Sequence, residues 1–475
     1  MEQKRTQWGS KIGFLMAAVG SAVGLGNIWG FPNKMGRHGG FAFLLVYLVL
    51  AVLIGVTIMV SELALGRKTG QGPIGAYSTA SRYFRWVGWM GVIAPFLLLT
   101  FYSVLGAYCL QYMSLNLAEL AMGIYSASGM TGADSFTSMI TNPFGCVIFT
   151  LVYILVNVLI VQCGVTSGIE KFNKVGMPAL FLMLAIIIVR SVTLEGAAEG
   201  LAFMFAPSFE PFSTVKGFIS VLSSAGGQMF FSLSLAMGIM VTYGSYLPKE
   251  ENLIRNSLSI IFFDTLMALM SGVAVLPAAF ALGGSNAAIA GPKLLFITMQ
   301  DVFSHMGSIG PLFGLVFYGL VAIAAISSSI SLTEVLVTFV SDTRQRKNKS
   351  VNRRKITYAV CGLYTLGAIL VAWDGLGANG LWVPFQNSLG VIGEFNDNWL
   401  DFFDCLSEGF LMPLGAFFTA LMIGWEIGPK YILDEIKNDK FALYYTISVR
   451  FIIPAATLFI LVGQIDTFFH LGIFG

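Results

Sequence analysis

Oxygen-bearing side chains occur deep inside several apolar stretches of this chain, where an unpaired polar group is costly. The first stretch, residues 20–27, reads GSAVGLGN and lies within the apolar run from Lys11 to Phe31. Each glycine costs about 1 kcal/mol of helix stability relative to alanine, so these glycines favour an opened backbone whose polar groups need a partner. A bound ion or polar ligand is one solution, and a close helix crossing through the GxxxG spacing of Gly20 and Gly24 is the other.

Two further stretches place hydroxyl groups at the same depth. Residues 228–238 read QMFFSLSLAMG, with Ser232 and Ser234 in the middle, and a run of three serines extends from Ser327 to Ser329. Consecutive hydroxyls are oxygen ligands that suit a small hard cation. Hydroxyls bonded back to helix carbonyls, and close packing of small residues, are the alternative interpretations.

Carboxylates in apolar segments form the fourth group of candidates: Glu62, Asp264, Glu334 and Asp404. Such groups are expensive in lipid, so they are functional candidates by default. Asp264 lies well inside its segment and is the strongest of them, with a protonated or locally bonded structural carboxyl as the alternative. The histidines and cysteines are scattered without metal-ligand spacing, so neither a metal site, a disulfide nor an enzyme is predicted.

The composition indicates how these groups are positioned. The 475 residues are 56% hydrophobic and 11% charged, against about 25% charged in soluble domains. With about 20 apolar residues needed per crossing, the sequence predicts an all-α polytopic membrane protein with eleven segments. Segments 1 to 11 are predicted at residues 11–32, 41–65, 86–120, 144–162, 167–189, 214–246, 253–282, 308–341, 355–374, 398–425 and 442–466.

Lysines and arginines set the predicted orientation, because they concentrate in cytoplasmic loops. Their distribution places the N-terminus in the cytoplasm and the C-terminus outside. The basic cluster at 344–355 is then cytoplasmic, as a solvated topology anchor or, alternatively, as a lipid headgroup site.

The interruptions in segments 1 and 6 are five segments apart, which is typical of transporters built from inverted repeats with their substrate and ion sites at the midplane. The prediction is a single domain, 1–475, with a 5+5 inverted repeat. The repeats cover 11–190 and 214–426, and 440–475 holds an accessory eleventh helix.

Several motifs together resemble the neurotransmitter:sodium symporter family, in particular its bacterial amino-acid members with eleven spans, of the leucine-transporter kind. The likeness covers the first ten segments. It rests on Arg5 with Trp8, residues 20–27 followed by Phe31-Pro32, Tyr102, Phe231 to Met237, Ala324 to Ser328, Asp342 and Asp404.

The resemblance implies two sodium ions as cofactors. Sodium site 1 would use the carbonyl of Ala22, the side chains of Asn27, Ser232 and Asp264, and the substrate carboxylate. Sodium site 2 would use the carbonyls of Gly20, Val23 and Ala324 with the hydroxyls of Ser327 and Ser328. Where related bacterial transporters have Asn, this chain has Asp264, a fixed carboxylate that would replace the chloride bound by animal members.

The resemblance also implies a substrate site. Its residues would be Ser21, Ala22, Leu25, Gly26, Leu98, Tyr102, Phe231, Ser232, Ser234, Met237, Ser328 and Leu332. The family's monoamine carriers have an acidic residue where this chain has Gly24, so the substrate is expected to bring its own carboxylate. The apolar lining and the adaptable Met237 favour an aromatic (Trp, Tyr, Phe) or large aliphatic L-amino acid.

Gates are implied on both sides of this site. The inner gate would pair Arg5 with Asp342, beside Trp8 and Tyr246. The outer gate would use Asp404, but the family's arginine position is Gly30 here, so either Lys34, one turn further along, or a bridging water would take its place. Gly168 and Pro178 in segment 5 have the family's Gly-x9-Pro spacing, which implies local unwinding, with an ordinary proline kink as the alternative.

The expected function is sodium-coupled import of a hydrophobic amino acid by alternating access, without chloride, in the cell membrane. The protein would be a monomer or weak dimer that binds no nucleic acid. A transporter-like amino-acid sensor without flux is one alternative. An ion channel is another, although the polar groups cluster at one depth rather than forming a continuous stripe.

Overall fold

The computed structural model describes residues 7–123, 129–287, 294–384, 398–436, 438–469, 471 and 473, and these contain helices and turns but no strand. Within these residues, nine helices are long and apolar enough to cross a membrane, and a bent pair between Lys11 and Arg37 is a tenth candidate. This is the pattern of a multi-pass membrane protein. The number of eleven spans and the inverted repeat stay predictions, because segment 6 consists of two shorter helices.

The helices follow the predicted segments closely, with ends that differ by a few residues. Segment 1 comprises Lys11–Ala22, Gly26–Gly30 and Phe31–Arg37; segment 2, Phe41–Leu50, Ala51–Gly55 and Val56–Thr69; segment 3, Val87–Met122; segment 4, Pro143–Val161; segment 5, Val165–Glu170 and Lys171–Val192; segment 6, Val215–Ser232 and Ile239–Gly244; segment 7, Leu253–Ala287; segment 8, Gly310–Arg346; segment 9, Arg353–Asp374; segment 10, Trp399–Asp404, Cys405–Leu411, Met412–Leu421 and Met422–Glu426; segment 11, Asp439–Ile447, Ser448–Ile452 and Ile453–Phe469. Shorter helices lie between them at Pro73–Ala80, Gly132–Ile140, Ala197–Phe205, Glu210–Ser213, Leu294–Thr298, Met299–Ser304, Gly307–Ile309 and Lys430–Ile436.

The broken segments occupy the centre of the protein. The first helix of segment 1 packs among segments 5, 7 and 8, and Ile239–Gly244 packs against segment 2. Segment 8 makes its most extensive contact with segment 3. Segments 4, 5 and 11 present apolar side chains outward, as a lipid-facing surface requires. The polar breaks are therefore surrounded by helices rather than by lipid.

Several segments contain π-helical turns, which shift the backbone hydrogen bonds and are often found at functional sites. In segment 2 the carbonyl of Leu53 accepts hydrogen bonds from Tyr444 at 2.9 Å and from Ser448 at 3.1 Å. In segment 10 the carbonyl of Gly424 accepts a hydrogen bond from Nε of Arg450 at 2.9 Å. Side chains of segment 11 thus satisfy carbonyls in the π-helical turns of both neighbours.

The expectation of a solvated basic cluster at 344–355 is wrong for one residue. The guanidinium of Arg353 forms an ion pair with the fully buried carboxylate of Glu334. It also donates hydrogen bonds to the carbonyl of Val161 at 2.9 and 3.1 Å. Arg353 therefore joins segments 4, 8 and 9, because a carboxylate buried in segment 8 needs a cationic partner.

Candidate functional site

Segment 1 opens at the predicted place. The helix Lys11–Ala22 ends at Val23, which is extended (φ −76°, ψ 100°). Helical structure resumes at Gly26, and the two parts are bent by 46°. The break leaves carbonyls at the end of one half-helix and amides at the start of the next. This is the arrangement that suits cations and carboxylates respectively.

Segment 6 opens opposite this break. Its first helix ends at Ser232, and Ser234 and Ala236 then take positive φ angles of 53° and 60°. Such backbone costs on the order of 1–3 kcal/mol per residue outside glycine, so contacts must hold it. The Ala236 amide donates to Oε1 of Glu62 at 2.8 Å, and the Ser234 hydroxyl donates to the Ser21 carbonyl at 2.9 Å. The intramembrane carboxylate of Glu62 thus supports the second break.

The residues implied for sodium site 2 lie together between segments 1 and 8. The Ser328 hydroxyl donates to the Ser21 carbonyl at 3.0 Å and contacts the Gly20 carbonyl at 3.5 Å. The Ser327 hydroxyl donates to the Ala324 carbonyl at 2.7 Å and contacts the Val23 carbonyl at 3.4 Å. All of these atoms are oxygens. This donor set fits a hard monovalent cation, to which hydroxyl and carbonyl lone pairs would turn.

The residues implied for sodium site 1 gather around Asp264. Its carboxylate accepts hydrogen bonds from Nδ2 of Asn27 at 2.8 Å, from Ser232 at 2.9 and 3.0 Å, and from Tyr47 at 3.0 Å. The side chain is fully buried. Oδ1 of Asn27 accepts from the Gly24 amide at 3.2 Å, so it faces the break in segment 1. A fixed negative charge therefore lies directly behind the broken backbone.

A cavity lies between the two breaks. The space between its atoms amounts to about 310 Å³, but only about 20 Å³ can be reached by the centre of a water molecule. Most of the residues implied for substrate binding line it, and Gly24 and Ile239 join them. The lining consists of Ser21, Ala22, Gly24, Gly26, Leu98, Tyr102, Phe231, Ser234, Met237, Ile239, Ser328 and Leu332.

Two implied substrate contacts face elsewhere. The Leu25 amide, expected to bind a carboxylate, donates to the Tyr102 hydroxyl at 2.9 Å. Ser232 points to Asp264 instead of lining the cavity. Gly24 has a steric role besides its lack of charge: a Cβ there would lie 2.4 Å from Oγ of Ser328 and 2.5 Å from the Tyr102 hydroxyl. Only glycine lets these three groups meet.

The outer end of the cavity corrects the gate that the sequence suggested. Lys34 forms its ion pair with Glu408, one turn beyond the predicted partner Asp404. A Cβ at Gly30, the family's arginine position, would lie 3.0 Å from Oε1 of Gln228. Glu408 was missed because attention stayed on the family's aspartate. The signal was present, since Lys34 and Glu408 each follow the family's position by four residues.

At the inner end, Nε1 of Trp8 donates to the Tyr243 carbonyl at 3.2 Å, and the Tyr246 hydroxyl donates to Glu334 at 2.9 Å. The carboxylate of Asp342 accepts from the Gly72 amide at 2.7 Å. Arg5, its predicted partner, lies outside the described residues. This end is closed by an aromatic and hydrogen-bonded layer around segment 6.

A second residue missed by the sequence analysis is Glu170, in the π-helical start of segment 5. Its carboxylate accepts from the Gly9 amide and from the Ser10 hydroxyl, each at 2.9 Å, and pairs with Lys174 at 2.7 Å. The neighbouring Gly168 lies in the same π-helical turn. Glu170 thus fastens the start of segment 1 to the stretch of segment 5 that was predicted to unwind.

Comparison with known proteins adds to this geometry. A family described as the sodium:neurotransmitter symporter family matches residues 5–124 and 134–473. An uncharacterized sodium-dependent transporter of Bacillus subtilis, YhdH, is 35% identical over 98% of both chains. A sodium-dependent nutrient amino acid transporter of Drosophila persimilis is 24% identical over 98% of this chain and 76% of its own length. The crystal structure of MhsT in complex with L-phenylalanine superimposes with a TM-score of 0.84 at 33% identity, over 97% of this chain and 100% of that one.

Proposed function

This chain belongs to the sodium:neurotransmitter symporter family, and we propose that it imports a hydrophobic L-amino acid together with sodium by alternating access. The observation that carries the proposal is the meeting of two broken segments around one small cavity, with hydroxyls and carbonyls on one side and a buried carboxylate behind it. An opened backbone at this depth is stable when ions and a zwitterion satisfy its polar groups.

Two sodium ions would bind at the two oxygen clusters described above. At sodium site 2 the Ser328 hydroxyl already lies 3.0 Å from a segment 1 carbonyl, so a cation would tie segments 1 and 8 together. Each sodium entering down about 100 mV yields roughly 2.3 kcal/mol. A tenfold gradient adds about 1.4 kcal/mol. Two ions then supply about 7 kcal/mol, enough for roughly 10⁵-fold accumulation of a neutral zwitterion.

The substrate would be an aromatic or large aliphatic amino acid. The apolar part of the cavity, with Leu98, Phe231, Met237 and Leu332, suits such a side chain, and the similar structure holds L-phenylalanine. The substrate carboxylate would displace the Tyr102 hydroxyl from the Leu25 amide. Because only about 20 Å³ admits a water, Phe231 and Met237 must move for substrate to enter. The flexible side chain of Met237 makes that movement cheap.

Transport is proposed to be independent of chloride, because the Asp264 carboxylate supplies a fixed negative charge beside sodium site 1. Uptake should continue when chloride is replaced by gluconate, and loss of uptake in gluconate would overturn this part. The Lys34–Glu408 ion pair would close the outer side, and the Trp8, Tyr246 and Asp342 layer the inner side. The N-terminus is proposed to lie in the cytoplasm.

Two measurements on the purified full-length protein test the proposal. Competition among the twenty amino acids for a radiolabelled hydrophobic one, with sodium or potassium, should show sodium-dependent binding of aromatic or large aliphatic members. Counterflow in proteoliposomes then separates a transporter from a sensor. If no amino acid binds in a sodium-dependent way, the proposal fails, and binding without counterflow would identify a sensor.

A further inference from the structure

Segment 11 contains an arginine that neither the transport site nor the gates use. Arg450 lies within the π-helical turn Ser448–Ile452, and its Nε donates to the Gly424 carbonyl at 2.9 Å. The remaining guanidinium N–H groups have no hydrogen-bond acceptor or acidic partner among the residues that the structure describes. Because arginine carries its charge at any physiological pH, such a group in a membrane helix needs the interface or an anion.

The depth of Arg450 follows from its neighbour Trp425. The guanidinium lies 5.7 Å from the centre of the Trp425 ring, and Nε1 of Trp425 donates to the Arg450 carbonyl at 3.3 Å. Trp425 is 61% exposed and precedes the last helical residue of segment 10. Exposed tryptophans at segment ends mark the boundary between lipid and water. Arg450 therefore lies near that boundary rather than at the midplane.

A short loop brings more positive charge to the same boundary. The carboxylate of Glu426 accepts from the Ser81 hydroxyl at 2.5 Å and from the Tyr83 amide at 3.3 Å. This anchors the loop before segment 3, in which Arg82 and Arg85 are exposed. Neither arginine has an ion-pair partner in the described part of the chain.

The apolar surface of this region is continuous with the basic one. Trp86, next to Arg85, packs edge-on against Phe418 with ring centres 4.7 Å apart. Phe418 and Trp425 are seven residues apart and thus share one face of segment 10. Phe451 packs perpendicular to Trp425 at 5.8 Å and is 58% exposed. Exposed rings therefore extend from the charged groups toward the lipid.

We propose that this region, the boundary patch of Arg82, Arg85, Trp425 and Arg450, binds the headgroup phosphate of an anionic phospholipid. A guanidinium presents paired N–H donors that match two phosphate oxygens. The exposed rings beside it would pack against the acyl chains. Each basic residue near an anionic membrane surface adds about 1 kcal/mol of attraction, so the patch prefers phosphatidylglycerol to phosphatidylcholine. The inference does not depend on the proposed transport function.

Native mass spectrometry of the detergent-solubilised full-length protein tests this, with phosphatidylglycerol and phosphatidylcholine of equal chain length. We expect at least tenfold preferential retention of phosphatidylglycerol, a loss of at least fivefold in Arg450→Gln, and no change in the control Arg354→Gln. Arg354 is also an exposed arginine, at the start of segment 9, and it belongs to no such patch.

Further variants and ligands keep the test decisive. If Arg450→Gln does not fold, Arg82→Gln with Arg85→Gln leaves the bond to Gly424 intact and should lower retention about fivefold. Equal retention of the two lipids, or an equal loss in Arg354→Gln, would overturn the proposal. Displacement of the lipid by millimolar inorganic phosphate would reassign the patch to a soluble anion. Dimers that disappear in Arg450→Gln would reassign it to contact with a second copy.

Discussion

Neutralising either Lys34 or Glu408 should make the outer side of the cavity open more readily. The Lys34 side chain is 24% exposed and that of Glu408 is 12% exposed. An exposed ion pair contributes about 0–1 kcal/mol, whereas breaking a fully buried one costs about 3–5 kcal/mol. An intermediate value of about 1–2 kcal/mol corresponds to a shift of about 5- to 30-fold toward the open state.

The assay is release of a bound radiolabelled amino acid from sodium-saturated protein, measured in a double-mutant cycle. Lys34→Met and Glu408→Gln should each accelerate release about 5- to 30-fold by this estimate, and the double variant should be no faster than the single ones. Asp404→Asn is the matched control, because it removes a carboxylate one turn away that was the predicted partner.

Additive effects of the two substitutions would refute the ion pair as a gate. A larger coupling of Lys34→Met with Asp404→Asn would instead restore the arrangement that the sequence suggested. His38 lies nearby, with Nδ1 2.9 Å from the Lys34 carbonyl. Burial lowers the pKa of His38 below its usual value, and the charges of Lys34 and Arg37 lower it further. His38 therefore stays neutral above about pH 6.5, and release rates should be flat from there to pH 8.

Three further predictions concern the two breaks and segment 5. Ser328→Ala should weaken sodium binding about 10- to 100-fold, as expected for losing a hydroxyl partner of a charge, in a sodium titration of substrate binding; Ser329→Ala should not, because that hydroxyl donates to Asn157 at 2.6 Å. Gly24→Ala should lower substrate affinity at least about tenfold, since overpacking costs about 1–3 kcal/mol, whereas Gly362→Ala has open space and serves as its control. Glu170→Gln should speed hydrogen exchange of residues 7–13, and unchanged exchange would contradict its role as a fastener.

The central break could be predicted from sequence because its determinants are local. Three glycines within seven residues weaken one turn of helix wherever it is placed, and the Ser327 to Ser329 run announces its own chemistry. The break in segment 6 carries a weaker signal. Its strained residues, Ser234 and Ala236, are not glycines, and they hold positive φ angles only because Glu62 and segment 1 supply hydrogen-bond partners. Tertiary contacts of that kind have no signature in a single segment.

Partners of charged groups were harder to predict for a related reason. Glu334 was correctly singled out as a buried carboxylate, but its cation, Arg353, belongs to a basic cluster that hydropathy assigns to water. Arg450 was overlooked because one arginine barely changes the mean hydropathy of a long apolar segment. Glu170 lies within the apparent start of segment 5. In each case the pairing depends on which helices are neighbours, which periodicity does not determine.

The outer gate shows how part of this information can be recovered. Considered separately, Gly30 indicates a lost arginine and Lys34 an unrelated lysine. Considered together with segment 10, the lysine follows Gly30 by four residues and Glu408 follows Asp404 by four. Residues four apart lie on the same side of a helix, one turn along, so moving both charges by one turn keeps them opposite each other. A lost charge on one helix is thus best tested against gained charges one turn away on both helices.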